Sequence, residues 1–453
     1  MARSFYFAKK SYRGDKMLTS KAIAIALFVL MYVLMVLLPK KRALVALSTA
    51  AIYVVLTLLG VGEEAILPLS DVPGAIDWNV LMMILGTMVI VDYFIESKMP
   101  NLIAEWLLRL APNVLWVTIL MSLFSGIISA FIDNVATVLM VAPVGLAICK
   151  KLNISPVSMI ICIAVSSNLQ GAATLVGDTT SIMLAAQAGM NFNDFFVFNG
   201  KAGIFFAVEL GALLTVPIMM ILFHKDKEPV TSTEHTTVTD YVPTITMLGH
   251  VVLLILASFI PESMKPETTN GIICLACGVL TVVWEILKQK GTDGMWHSLK
   301  AMDWDTMFLL AGLFCVIEGI TNVGVIDDLA TLISNAGGSN IFLLYSIVVW
   351  GSVVISAFID NIPYVATMLP ILASVAATLS IDANFLYFGL LIGATLGGNI
   401  TPIGASANIA GVGMLRKEGY EVKFRDFFKI GIPFTLTAVI AGYLFVWFVW
   451  KPY

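Results

Sequence analysis

One six-residue motif occurs twice in this chain, each time in the middle of a long apolar stretch. Residues 129–134 read Ser-Ala-Phe-Ile-Asp-Asn, and residues 356–361 repeat the same six residues 227 positions later. The register continues beyond the motif, because Thr174 matches Thr401 at the same spacing. A carboxylate in hydrocarbon costs at least ~2.5–3.5 kcal/mol on insertion scales. Two such carboxylates at matched positions predict a duplicated membrane half with a functional site at the repeated motif.

The composition agrees with a membrane protein. Hydrophobic residues make up 59% of the chain, charged residues 12%, and the mean hydropathy is +0.93, whereas soluble domains average about 25% charged residues. The net charge of −4 gives no footprint for nucleic acid. We find no phosphate-binding loop motif, so direct ATP drive within this chain is not expected. The sequence predicts an integral, multi-pass protein of the cell membrane that is not an enzyme.

Apolar windows divide the chain into two similar halves, because a spanning helix needs about 20 mostly apolar residues. The first half has windows at 22–38, 43–60, 78–95, 113–131 with 135–149, 154–190 and 200–223. The second half has windows at 245–260, 270–288, 304–322, 339–357 with 361–379, 383–415 and 430–450. The predicted fold is all-α, with five crossings and one re-entrant hairpin in each half. An odd number of crossings inverts the second repeat relative to the first.

The domain organisation follows from these windows. We expect a basic N-terminal arm at 1–21, a first transmembrane repeat at 22–223, a cytoplasmic linker at 224–244 and a second, inverted repeat at 245–453. The paired short segments in each half are interpreted as the legs of a re-entrant hairpin with the Asp-Asn motif at its tip. The alternative is two full crossings joined by a tight loop.

The distribution of Lys and Arg gives the sidedness. If the Lys40–Arg42 cluster faces the cytoplasm, most loop Lys and Arg residues fall on that side, and only Lys201, Lys265 and Lys451 remain outside, apart from the N-terminal arm. The positive-inside rule predicts this excess. The basic arm disagrees with it, since this orientation puts the arm outside.

Four polar elements converge if the fold is right. Two are the hairpin tips, and two are Gly-rich breaks in helices at 168–181 and 397–408. Unwound backbone and half-helix ends offer ion ligands in such breaks, and hard oxygen ligands suit Na⁺. The candidate substrate- or ion-binding residues are Asp133, Asn134, Asn168, Thr174, Gly177, Asp178, Asp360, Asn361, Asn399, Thr401, Ser406 and Asn408. Among these, the Na⁺ candidates are Asp133, Asn134, Asp178, Asp360 and Asn361, and no other metal or cofactor is expected.

Three further acids are candidates for a proton path. Asp92 and Glu318 match each other near the far ends of their helices, and Glu209 lies mid-span with Leu436 opposite it in the repeat. Interface capping is the alternative for the first two, and a buried structural acid is the alternative for Glu209.

The motifs resemble the ion transporter superfamily, which contains the arsenite efflux pump membrane subunit, sodium/proton antiporters and the melanosomal P protein. The resemblance rests on the repeated Ser-Ala-Phe-Ile-Asp-Asn, on Ala-Ala-Thr-Leu-Val-Gly-Asp at 172–178 and on Gly-Gly-Asn-Ile-Thr-Pro-Ile-Gly-Ala-Ser-Ala-Asn at 397–408. It implies a secondary-active transporter with an elevator-like motion of hairpins and broken helices against the first spans of each half. It also implies a homodimer, and the arsenite relatives add a soluble ATPase partner.

The more distant divalent anion/sodium symporters carry Ser-Asn-Thr at the tips, where this chain has Asp133 and Asp360. A carboxylate at close range repels a dicarboxylate substrate, and no Lys or Arg lies in the four polar elements to compensate. Cation/proton antiport is therefore the leading expectation, with arsenite or antimonite efflux next, since arsenous acid is neutral. A sodium-coupled dicarboxylate or citrate transporter is disfavoured, and an ion channel with a carboxylate ring is a further alternative.

Overall fold

The computed structural model describes residues 2–62, 64–230, 236–289, 295–296, 299–300, 302–338 and 340–452, with side chains described from Ser20 onward except at 262 and 289. The side chains of most of the predicted basic arm and residues 231–235 of the predicted linker therefore lie outside the described part. The backbone of the arm is helical from Ala2 and continues into the first span.

In the described residues, the first half contains ten α-helices and one short β-hairpin. They are α1 (Ala2–Leu37), α2 (Arg42–Leu58), α3 (Val72–Ala75), α4 (Trp78–Glu96), α5 (Met99–Leu110), α6 (Val114–Ser129), α7 (Asn134–Lys151), α8 (Val157–Gly171), α9 (Thr179–Ala188), β1 (Val197–Phe198), β2 (Lys201–Ala202) and α10 (Ile204–Leu222). The two strands pair antiparallel. The short helices α3 and α5 were not among the predicted segments.

The second half repeats most of this order in the described residues. Its helices are α11 (Val242–Ala257), α12 (Thr269–Gln289), α13 (Trp304–Asn322), α14 (Val325–Gly337), α15 (Ile341–Ser356), α16 (Asn361–Leu379), α17 (Ala383–Gly397), α18 (Ser406–Lys417) and α19 (Phe424–Trp450). Helix α14 follows α13 as α5 follows α4. The windows from the sequence are confirmed as helices, and the last helix begins at Phe424 rather than at residue 430.

Matched aspartates start matched helices. The side chain of Asp77 accepts a hydrogen bond from the N–H of Val80 at 3.0 Å at the start of α4. Asp303 accepts one from the N–H of Thr306 at 3.1 Å at the start of α13. A carboxylate in this position satisfies one of the free N–H groups of the first helical turn. Asp77-Trp78 and Asp303-Trp304 are therefore a repeated helix start, which the aspartate caps in each half.

The early helices of each half pack on a helix of the other half. Helix α2 lies against α13 of the other half, and α12 lies against α4. A glycine allows each crossing: a Cβ on Gly86 would lie 2.2 Å from the carbonyl carbon of Cys274, and one on Gly312 would lie 2.7 Å from the backbone nitrogen of Leu47. Small residues let helix backbones approach this closely. The first helices of each half are thus bound to the other half.

Ten helices in the described residues are long and apolar enough to cross a membrane. This number equals the predicted number of membrane crossings, but the helices that make it up are not the predicted ones throughout. The second hairpin legs, α7 and α16, belong to the ten, whereas α8 and α11 are shorter apolar helices. Leg length therefore does not separate a re-entrant hairpin from a crossing, and the hairpins and the inversion of the repeats stay predictions.

The linker between the halves lies against α5 and α6. The N–H of Val114 donates to the carbonyl of Glu228 at 3.0 Å, and the N–H of Thr236 donates to Oε2 of Glu105 at 2.8 Å. Burial opposes ionisation of Glu105, but the bonds from Thr236 and the nearby Arg109 outweigh it and lower the pKa of that carboxyl. The described part of the linker is held by these bonds to the first half and, through Asp240, by Trp284 and Lys288 of the second half.

Candidate functional site

Each repeated motif ends at the start of a helix, and its aspartate caps that helix. Asp133 accepts hydrogen bonds from the N–H groups of Val135 at 2.9 Å and Ala136 at 3.2 Å. Asp360 accepts one from the N–H of Ile362 at 3.1 Å. Capping alone is also achieved by Ser, Thr or Asn. The choice of a carboxylate at both positions, inside an apolar protein, therefore needs a further reason.

The two helix breaks lie where the sequence predicts them. Helix α8 ends at Gly171 and α9 begins at Thr179, while α17 ends at Gly397 and α18 begins at Ser406. The first gap spans residues 172–178, and the second spans 398–405 with a short 3₁₀ turn at Gly398–Ile400. Irregular backbone in a membrane protein is tolerated where it is buried in protein or lines a cavity. The observed breaks are shorter than the predicted 168–181 and 397–408, since helical residues occupy both ends of those ranges.

Each break is pressed against the tip of its own half. A Cβ on Gly177 would lie 2.6 Å from the carbonyl oxygen of Ser129 and 2.8 Å from that of Ala130. A Cβ on Gly404 would lie 2.8 Å from the carbonyl oxygens of both Ser356 and Ala357. Only glycine fits so close to backbone carbonyls. The same contact in both halves makes each tip and break one unit.

A threonine hydroxyl closes each contact. Thr174 donates to the carbonyl of Ala130, and Thr401 donates to the carbonyl of Ala357 at 2.5 Å. Both threonines are buried. They therefore hold the tip to the break through backbone carbonyls, and their hydroxyl protons are already used.

An amide network joins the two halves at the centre. Asn168 accepts from Nδ2 of Asn134 at 2.9 Å and donates its own Nδ2 to the carbonyl of Thr395 at 2.6 Å and to Oδ1 of Asn399 at 3.1 Å. Asn399 in turn donates to the carbonyl of Val165 at 3.0 Å. Asn168 and Asn399 are fully buried. The break of one half is thus hydrogen-bonded to the break of the other.

The first-half site holds two carboxylates. Asp178, at the end of the first break, is 3% exposed and accepts a hydrogen bond from the hydroxyl of Thr180 at 2.8 Å. It interacts electrostatically with Asp133 and with Asp360. The hydroxyl of Thr180 also lies 3.2 Å from that of Thr395. The three predicted aspartates therefore share one electrostatic environment, and Asp178 adds negative charge to the first half only, because Ala405 occupies the matched position.

The second-half tip has a basic partner that the sequence reasoning missed. The guanidinium of Arg42, at the start of α2, lies 2.6 Å from Oδ2 of Asp360, with side chains 16% and 3% exposed. The same oxygen accepts from the hydroxyl of Ser406 at 2.7 Å. The expectation that no cation compensates the tip carboxylates is therefore wrong for Asp360. Arg42 belongs to the basic cluster that the charge analysis assigned to a loop, so no local signal placed it in the site.

Two amide groups in the second half have unused hydrogen-bonding capacity within the described residues. Asn408 is fully buried, and its Nδ2 donates to the carbonyls of Gly398 at 3.0 Å and Thr401 at 3.1 Å. Those two acceptors fix the orientation of the amide and leave Oδ1 without a donor. Nδ2 of Asn361 is likewise buried without an acceptor. Buried polar atoms without partners are uncommon and point to a ligand or an ordered water.

The proton-path candidates lie in α4, α10 and α13 rather than in the tips or the breaks. Glu209 is half-buried in α10, and its carboxylate makes no hydrogen bond or ion pair with any described residue. Asp92 in α4 and Glu318 in α13 are half-buried as well. Among the described residues, no hydrogen bond or ion pair joins Glu209 or Glu318 to the three aspartates.

Comparison with known proteins identifies the family. The family model of the CitMHS citrate transporters matches residues 32–393. An uncharacterized transporter of Mycobacterium bovis is 32% identical over 94% of this chain and 97% of its own length. The P protein of Mus musculus is 26% identical over 95% of this chain and 60% of its own length. The predicted resemblance to the group that contains the P protein is confirmed.

Two solved transporters have the same fold at low sequence identity. The YdaH transporter of Alcanivorax borkumensis superimposes with a TM-score of 0.59, at 13% identity, over 95% of this chain and 98% of its own. The MtrF protein of Neisseria gonorrhoeae, described as one of a class of antimetabolite efflux pumps, gives a TM-score of 0.56 at 13% identity. These likenesses confirm the predicted all-α, polytopic membrane architecture.

Proposed function

This chain is an integral, multi-pass transporter of the CitMHS citrate transporter family, and we propose that it exchanges a cation for protons by a secondary-active cycle. Its bacterial relatives indicate the cell membrane. The observation that carries the proposal is the pair of first-half carboxylates, Asp133 and Asp178, which interact electrostatically inside an apolar protein. Intramembrane acids mark ion pathways and proton relays in transporters.

The neighbours of this pair are suited to a small hard cation. Asp133 and Asp178 offer carboxylate oxygens, and the hydroxyl of Thr180 lies 2.8 Å from Asp178. Oxygen ligands select hard cations such as Na⁺. No Lys or Arg of the described residues forms an ion pair with Asp133 or Asp178. A cation held between two carboxylates competes with a proton for the same oxygens, which gives a direct physical route to exchange.

The transport cycle follows from the contacts between tips and breaks. Each tip and break move as one unit, because Gly177 and Gly404 and the two threonine hydroxyls bind them together. We propose that these units slide against the first helices of each repeat in an elevator-like motion, with the second repeat inverted relative to the first. A homodimer formed through those first helices would give a fixed frame. The proposal needs no ATPase partner.

Reconstitution into liposomes that contain a pH-sensitive dye tests the function. Addition of Na⁺, Li⁺ or K⁺ to wild-type vesicles should change the internal pH with at least one of these cations. Asp133→Asn and Asp178→Asn should each abolish the signal, whereas the matched control Glu421→Gln, at an exposed carboxylate, should not. Cation-independent dye signals, or full activity of both aspartate variants, would refute antiport at this site.

Citrate-type anion transport is the second candidate, and two observations favour it. The family model is that of citrate transporters, and Arg42 neutralises the tip carboxylate that was expected to repel an anion. Adding citrate, arsenite and antimonite in the same vesicle assay separates the candidates. Citrate uptake that depends on Arg42 but not on Asp178 would favour the anion route, and a response to arsenite alone would favour efflux of a neutral solute.

A further inference from the structure

The ion pair between Arg42 and Asp360 joins two parts of the fold. Arg42 starts α2, which packs on α13, whereas Asp360 is the tip residue before α16. Helix α1 adds a second polar connection, because the hydroxyl of Tyr32 lies 2.7 Å from both the carbonyl of Pro363 and the hydroxyl of Thr367. The first two helices of the chain therefore hold the second tip with charge and with hydrogen bonds.

The position of Arg42 is fixed from its other side. The N–H of its neighbour Ala43 donates to the carboxylate of Asp305 in the first turn of α13, and Arg42 interacts electrostatically with that carboxylate. The guanidinium thus pairs with Asp360 and is also attracted by Asp305. A planar guanidinium that cannot lose its proton is a permanent cation wherever it lies.

Among the described residues, no Lys or Arg pairs with the first tip as Arg42 pairs with the second. Gly312 packs on Ala46 of α2, and its repeat partner Gly86 packs on Cys274 of α12. The residue four positions before Cys274 is Asn270, as Arg42 is four positions before Ala46. Counted from the glycine contact, the residue of the first half that matches Arg42 is therefore a buried, neutral amide.

We propose that Arg42 is a tethered counter-cation that fills the second-half site in place of the cargo. Its guanidinium takes the oxygen of Asp360 that Ser406 also binds, so the transported cation and the coupled proton bind at Asp133 and Asp178 only. The first half then holds the cargo site, and the second half holds a site that Arg42 neutralises. The identity of the cargo as a cation rests on the proposed function, but the occupancy of Asp360 by Arg42 does not.

Carbodiimide labelling of the purified protein tests the assignment without transport. Dicyclohexylcarbodiimide reacts with protonated carboxyl groups in apolar sites, and a carboxylate paired with a guanidinium holds no proton to react. Peptide mass spectrometry reports the modification rate at each aspartate, with and without Na⁺. The variants are Arg42→Asn, which copies the first half, Arg42→Lys, which keeps the charge, and the control Arg425→Asn at an exposed position.

In wild-type protein, Asp360 should be modified at least tenfold more slowly than Asp133 or Asp178. Arg42→Asn should raise the rate at Asp360 at least tenfold, while Arg42→Lys and Arg425→Asn stay near the wild-type rate. Equal rates at Asp133 and Asp360 in wild type overturn the proposal even if the variants do not fold, and so does an unchanged rate in folded Arg42→Asn. The expected labelling pattern in protein that shows no cation/proton exchange in vesicles would support the role of Arg42 and refute the antiport.

Discussion

Adding one methyl group at the helix break should separate the tip from the break. In Gly404→Ala the new Cβ would lie 2.6 Å from the carbonyl oxygen of Gly398 and 2.8 Å from those of Ser356 and Ala357. All three neighbours are backbone atoms, so no side-chain rotation relieves the contact. Gly177→Ala meets the same arrangement in the first half, with the carbonyl oxygen of Gly171 at 2.5 Å.

The cost follows from these distances. The contacts with the two tip carbonyls must lengthen from 2.8 Å to the ordinary 3.4 Å, a displacement of about 0.6 Å between break and tip. Overpacking of this kind costs about 1–3 kcal/mol, and the hydrogen bond from Thr401 to the carbonyl of Ala357 is weakened at the same place, which adds about 1 kcal/mol. A shift of about 1 Å in a positioned site lowers activity about 100-fold in enzymes. We expect transport to fall about 10- to 100-fold.

Unfolding in mixed micelles with increasing dodecyl sulfate gives the change in the free energy of unfolding, and vesicle assays give the rate. Gly413→Ala in α18 and Gly351→Ala in α15 are matched controls, since a Cβ at either position meets nothing within 4 Å. Alanine in these helices should be neutral or stabilising by up to about 1 kcal/mol. Gly404→Ala and Gly177→Ala variants that behave like the controls in both measurements would refute the predicted separation of tip and break.

Three other predictions concern the network, the linker and the sidedness. Asn168→Leu removes three hydrogen bonds worth about 0.6–1 kcal/mol each, so the free energy of unfolding should fall by about 2–3 kcal/mol. The control Thr395→Val should lower it by only about 0.6 kcal/mol. Equal losses in the two variants would contradict the network. Burial opposes ionisation of Asp240, but the bond from Trp284 and other donors lower its pKa below the ordinary 3.8. The stabilisation that Asp240→Asn removes, about 1 kcal/mol, should therefore be present above pH 3.8 and disappear as pH falls through the lowered value; a loss that does not change with pH would contradict it. Lys227→Cys should react with an impermeant thiol reagent only from the cytoplasmic side. All five native cysteines are buried, so the label reports the introduced cysteine. Labelling of Lys227→Cys in intact cells would reverse the orientation.

The breaks and the tips could be predicted because their signals are local. Glycine, proline and an N-cap aspartate fix where a helix stops and starts without reference to the rest of the chain. The predicted break at 168–181 contains the observed gap between α8 and α9, and the one at 397–408 contains the gap between α17 and α18. Because the chain is duplicated, each of these sequence signals occurs twice, and the second occurrence supports the prediction made from the first.

The partners of the polar residues could not be predicted because they are distant in sequence. Arg42 and Asp360 are 318 residues apart, and Asn168 and Asn399 are 231 residues apart. A basic residue at the end of an apolar helix is ordinarily solvated at the membrane surface, so charge counting placed Arg42 in a loop. Only the packing of α2 on the other half brings its guanidinium to the tip.

The repeated motif therefore does not imply a repeated site. The backbone contacts are copied faithfully, because Gly177 and Gly404 each face the carbonyls of their own tip. The charges are not repeated. Ala405 stands in the second half where the first half has Asp178. Asn270 matches Arg42 when both are counted from the helix contacts at Gly86 and Gly312. Both changes act in the same direction, since one adds a negative charge to the first half and the other neutralises the second. In this conformation the first-half site keeps its negative charge, as the proposed cation binding requires, while Arg42 neutralises the carboxylate of the second tip.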